Sequence, residues 1–98
     1  MTRKCKSGFT RNDSENRPRY DLIPTWVLER LGNLYADGAN KFGEHNWELA
    51  NADEDYNSFK ASMMRHMIQY VNSEENEDHF ARIIFNLVGC EHVKRQQK

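Results

Sequence analysis

Apolar residues fall into three stretches of the chain, and within each they recur at three-, four- and seven-residue spacing. That spacing places them on one side of an α-helix. Val27, Leu31, Leu34 and Tyr35, continuing toward Phe42, form the first such face. Pro24 suits the first turn, where its missing N–H has no intrahelical partner to lose, and Gly38 and Gly43 are stop signals. Phe59, Met63, Met67 and Tyr70, with Ile68 and Val71 beside them, form the second face; Asp53 or Asp55 can cap its start. Phe80, Ile84, Leu87 and Val88, widened by Ile83, form the third. The pattern therefore predicts helices over Pro24–Gly38, Asp53–Asn72 and Asp78–Lys94. Leu31, Leu34, Phe59, Met63, Met67, Phe80, Ile84 and Leu87 are expected to be the most buried residues. Gly89 inside the third helix costs ~1 kcal/mol relative to Ala and leaves room for a neighbour to come close. Lys94, Arg95 and Lys98 suit the negative end of that helix. Asn72 to Glu77 is a polar turn, and no segment alternates as a strand would. The connection from Lys41 to Asn51 carries Phe42, His45, Asn46 and Trp47, more aromatic surface than a plain linker needs.

Residues 1–20 are polar and aperiodic, and are read as a flexible basic N-terminal arm ahead of a helical domain over 21–98. Arg3, Lys4, Lys6, Arg11, Arg17 and Arg19 outnumber Asp13, Glu15 and the neighbouring Asp21, which suits either phosphate contact or solvation of a tail. The chain has 98 residues, so roughly 75 remain to build a core, a size at which association often completes the fold. The expected architecture is all-α: a small bundle of about three main helices with an extended N-terminal arm, completed by homo-oligomerisation. A net charge of −1 provides no field for duplex nucleic acid. Cys5 and Cys90 lack metal-binding spacing, which points to a reducing, cytoplasmic setting. No apolar run approaches a membrane span, and the first ten residues are too polar for a signal peptide.

The chain has no phosphate-binding glycine loop, dinucleotide fingerprint, HExxH or nucleophile elbow. Candidate chemistry lies in scattered polar and aromatic positions. His79, Arg82 and Asn86 share a helical stripe that can donate to phosphate oxygens and read a base edge, though the same stripe also suits a solvated flank. Arg65 and His66 sit mid-way along the second helix, where a histidine can equally be a hydrogen-bonded boundary residue. Trp47 and Tyr20 offer stacking surfaces for a base, or cover for the ends of a bundle. Arg19 and Lys41 are further cations within reach. Carboxylates are less promising. Glu29, Asp37 and Glu91 are dispersed, Glu74, Glu75, Glu77 and Asp78 belong to a turn, and no ExxE pair is followed by ExxD. The pattern thus assigns no metal ligand and no cofactor.

Taken in order, Arg17-Pro18-Arg19-Tyr20-Asp21-Leu22-Ile23-Pro24, Gly38-Ala39-Asn40-Lys41-Phe42-Gly43, Asn46-Trp47, Arg65-His66, and His79 with Asn86 resemble a phage and prophage family, the N-terminal domain of dATP/dGTP diphosphohydrolase. The resemblance runs from Arg17 to about Glu91 and implies a helical phage protein with a purine nucleotide ligand, acting in the host cytoplasm. The family pattern on the last helix reads His-x-x-His and then Asn, whereas here the second histidine position is Arg82. Guanidinium neither ligates a metal nor shuttles a proton near neutrality, but grips phosphate in a bidentate fork. That exchange favours binding without hydrolysis: sequestration of a purine nucleotide, including a cyclic or modified nucleotide used as a host immune signal, through Arg19, Tyr20, Lys41, Trp47, Arg65, His66, His79, Arg82 and Asn86. The alternative implied by the family is a metal-dependent dATP/dGTP diphosphohydrolase that releases pyrophosphate, using His66, His79 and Asp78 with magnesium. A helical protein-interaction module is the third expectation.

Overall fold

The computed structural model describes residues 2–4, 6–12 and 17–98. The fold is all-α, with three main helices: α1 over Thr25–Phe42, α2 over Asp53–Val71 and α3 over His79–Gln96. Short 3-10 turns at Tyr20–Leu22 and Asn46–Leu49 precede α1 and α2. Ahead of them, where no strand is expected, β1 (Thr2–Lys4) and β2 (Thr10–Asn12) pair antiparallel, with Arg3 opposite Arg11. Three-residue strands are too short to show an alternating pattern. Within the arm, residues 1, 5 and 13–16 fall outside the described residues, and with them the expectation for Cys5.

Helix α1 passes through Gly38 and ends only at Gly43, whose φ of 94° few other residues adopt. Helix α2 begins where Asp55 Oδ2 accepts the backbone N–H groups of Asn51 and Ala52, at 3.0 and 3.1 Å. At the start of α3, Asp78 Oδ1 accepts the N–H of Ala81. Helices α2 and α3 form an antiparallel hairpin through the turn at 72–78. They pack tightly at Gly89, where a Cβ would stand 2.6 Å from the Phe59 ring. At the far end, Gln97 Nε2 donates to Asn51 O and Asp53 Oδ1, which fastens the tail of α3 to the start of α2. Helix α1 lies across α3. Arg30 forks onto Asp78 and its guanidinium sits 4.6 Å from the centre of the Phe80 ring, while Trp26 also packs on Phe80.

The core of one chain is thin. Val93 and Ala81 are fully buried, with Gly89 and Cys90 nearly so, and the other buried side chains are polar: His66, His79 and Asn86. Leu31, Leu34, Phe59, Met63, Phe80 and Ile84, expected among the most buried, are only half-buried. Met67 and Leu87 depart further, each close to half exposed. Helical periodicity identifies an apolar flank but not which body covers it. Met64, Ile68 and Val71 on the outer side of α2 are more exposed still, Val71 at 78%. Among the described residues no helix is long and apolar enough to cross a membrane.

Candidate functional site

Two features stand out at opposite ends of the α2–α3 hairpin. The first is a polar cluster beside the turn. His66 projects from α2 and His79 from the first turn of α3, and both imidazoles are 3% exposed. Their Nδ1 atoms face each other at 2.9 Å, so they share one proton. His79 Nε2 lies 2.9 Å from Asn76 Oδ1, which can only accept. His79 therefore carries its proton on Nε2, and in the neutral pair His66 Nδ1–H donates to His79 Nδ1. Burial holds the His66 imidazole below its ordinary pKa, and the positive charges of Arg65, His79 and Arg82 act in the same direction while Glu77 opposes them.

Glu77 completes this cluster: one of its carboxylate oxygens and one nitrogen of each imidazole lie within 4.8 Å of one another. Arg82 Nε stands 3.5 Å from Glu77 Oε1. Arg65 is exposed one residue before His66, with Nη2 3.4 Å from Ser62 Oγ. Asn86 is buried and donates its amide to the backbone carbonyl of Arg82 at 2.8 Å, one turn earlier on α3. Asp78 is committed to architecture. Both its oxygens engage Arg30 and one also caps α3, and the Arg30 hydrogen bond foremost keeps its carboxyl below the usual carboxylate range.

The second feature is an open groove of about 820 Å³ at the other end, walled by Tyr35, Phe42, Trp47, Phe59 and Phe85, with Asp55 at its edge. Its rings meet at angles: Tyr35 to Phe85 at 5.2 Å, Tyr35 to Trp47 at 5.9 Å and Phe59 to Phe85 at 6.2 Å. Burial pushes the Tyr35 hydroxyl pKa up. Trp47 is held by the turn at Asn46–Leu49, which His92 secures by donating from Nε2 to Glu48 O at 2.8 Å. Phe85, on the wall of the groove nearer the turn, follows His79 by six residues, about 9 Å of rise along α3.

The sequence family described as dATP/dGTP diphosphohydrolase, N-terminal, matches residues 7–98. The chain belongs to this family. No curated protein and no solved structure matches it.

Against the site expected for this diphosphohydrolase-family domain, the structure gathers Arg65, His66, His79 and Arg82 around the hairpin turn and sets Trp47 in the groove. Lys41 is exposed near the end of α1. Arg19 is paired with Asp21 at 2.7 Å, and Tyr20 is 76% exposed, each just ahead of α1. Of the residues read from sequence as a polar turn, Asn76 is the hydrogen-bond partner of His79 and Glu77 lies within 4.8 Å of both imidazoles. Tyr35 and Phe59, read as helix packing, wall the groove together with Phe85, which lies outside the predicted apolar face. The one sequence signal for Glu77 was its position two residues before His79.

Proposed function

We propose that the domain binds a purine deoxynucleoside triphosphate and converts it to the monophosphate and pyrophosphate. The observation that carries this reading is the convergence of Arg65, His66, Glu77, His79 and Arg82 in a chain of this family. In the reaction a water oxygen adds to the α-phosphorus. The bond from that phosphorus to the oxygen shared with the β-phosphate breaks, pyrophosphate leaves with the electron pair, and the water's proton passes to solvent. Arg82 and Arg65 supply the guanidinium forks that hold phosphate oxygens. The aromatic groove offers the face on which a purine stacks. The apolar flank of α2 is covered by a second copy of the chain in a symmetric homo-oligomer.

Sequestration without turnover is the second reading. It is favoured by the ion pairs that already occupy two nearby carboxylates, Glu77 with Arg82 and Asp78 with Arg30. One experiment separates the two. The protein is incubated with a panel of purine nucleotides, with and without magnesium or manganese, then heat-denatured, and the supernatant is chromatographed. Monophosphate and pyrophosphate support turnover. Intact nucleotide that is depleted before heating and recovered afterwards supports sequestration. Unchanged nucleotide in both samples sinks both readings and leaves a protein-binding bundle.

A further inference from the structure

We propose that His66, His79 and Glu77 form a binding site for a divalent first-row transition ion, chosen over magnesium by its two imidazole donors. The donor set is two histidines and one carboxylate, a combination that holds such ions on one face and leaves the remaining positions open. Magnesium by contrast seeks six oxygens. The placement agrees with this assignment: one donor atom from each of the three side chains lies within 4.8 Å of the others, so modest side-chain movements bring all three onto one ion.

The surroundings are also those of a ligand histidine. A metal-bound imidazole ordinarily donates its other N–H to a fixed acceptor, which sets its tautomer and orientation. His79 Nε2–H is already held in that way by Asn76 Oδ1. The metal replaces the one proton shared between the rings, and His66 takes the tautomer with hydrogen on Nε2. Glu77 completes the set by a side-chain rotation: it lies on the exposed turn, and its 3.5 Å contact with Arg82 is loose enough to give up. Arg82 then stands next to the ion, placed to meet an anion bound at the open positions.

The site deepens the diphosphohydrolase reading but is tested apart from it, with no nucleotide present. Co(II) is titrated into the full chain and followed by its visible absorption and by calorimetry, then repeated with excess magnesium. The expected result is one Co(II) per chain, undisturbed by magnesium. His66→Gln and His79→Gln should abolish uptake. Asn76→Ala, a positioning change, should weaken uptake by about 10–100-fold, and Glu77→Gln by at least as much. Circular dichroism reports whether each variant folds. Should the buried histidine variants fail to fold, Glu77→Gln and Asn76→Ala, both on the exposed turn, still decide. Absence of stoichiometric Co(II) uptake by the parent chain overturns the assignment, as does undiminished uptake in both exposed variants or displacement of Co(II) by magnesium. Uptake without any nucleotide turnover keeps the site and removes the hydrolase reading.

Discussion

Replacing Gly89 by alanine should destabilise the domain, although the same change elsewhere in its helices should do the opposite. An added Cβ at position 89 stands 2.6 Å from Cδ1 and Cε1 of Phe59 and 2.7 Å from Cγ. Carbon atoms in good contact keep about 3.5–4.0 Å, so the shortfall is about 1 Å. Phe59 cannot relieve it by swinging the far end of its ring, because Cγ lies at the root of the side chain. Overpacking of this kind costs about 1–3 kcal/mol, while exchanging glycine for alanine inside a helix contributes about 0.8–1 kcal/mol in the other direction. With contacts this short at the root of the ring the steric term wins, with a net loss of up to about 2 kcal/mol. Each kcal/mol lowers Tm by roughly 4–8 °C in a domain of this size. Gly32 and Gly38 in α1 are the internal controls. Nothing lies within 4 Å of a Cβ at either, so alanine there should stabilise by up to about 1 kcal/mol. Urea unfolding at fixed protein concentration measures all three variants. Should Gly89→Ala match or exceed the parent chain in stability, the close approach of α2 and α3 at Phe59 is not what positions the hairpin.

Arg82→Ala should weaken binding of the purine nucleotide found in the panel by about ten- to a hundredfold, as loss of a charge-assisted contact of ~1.5–3 kcal/mol implies. Arg82→Lys should recover only part of it, and calorimetry showing full affinity in the alanine variant removes this residue from the site. Light scattering should return a mass that is a multiple of 11.6 kDa, and Ile68→Glu on the open flank of α2 should shift it toward one chain; a parent protein already monomeric at micromolar concentration contradicts the proposed assembly. Cys90 is buried and burial raises its thiol pKa. Its reaction with a disulfide reagent at pH 8 should therefore be limited by opening of the fold, and rapid stoichiometric labelling of Cys90 in the native state would refute this. The pKa of Asp55 is lowered by the backbone N–H groups of Ala52 and Asn51. A lowered carboxyl contributes stability above its unfolded value near 3.9 and loses it as pH falls through the folded value. Asp55→Ala should therefore destabilise at pH 7 and reduce the further loss on acidification below about pH 4; an unchanged acid profile would count against the cap.

Much of the helical frame was legible because its signals are local. Asp53 marks the start of α2 in both sequence and structure, and α3 begins one residue after Asp78, its cap. Helix α1 outruns the predicted stop because Gly38 serves equally well inside a helix or just beyond one; Gly43, with its positive φ, is the true stop. The core was misjudged for a different reason. Met67 and Leu87 satisfy the spacing of buried residues yet lie on flanks that a single chain leaves open. The imidazole pair was not legible as a pair. His66 and His79 were each singled out, but their meeting depends on the phase of two helices across the turn, and a difference of one residue in that turn would rotate one ring away. Glu77 and Asn76 gained their roles only through that meeting.

The position of the polar cluster within the hairpin has a kinetic consequence. His66 and His79 are 13 residues apart in the chain, and a loop of about ten residues closes in roughly 10–100 ns. Their encounter needs only α2, the turn and α3, all contiguous in sequence, so it does not wait for α1 to dock across Phe80. The histidine pair should therefore form as early as any tertiary contact in the molecule and survive openings that release α1. Amide hydrogens in α1 should accordingly exchange faster than those flanking the two histidines, which would keep the proposed site in the most persistent unit of the chain while the longest-range contacts come and go.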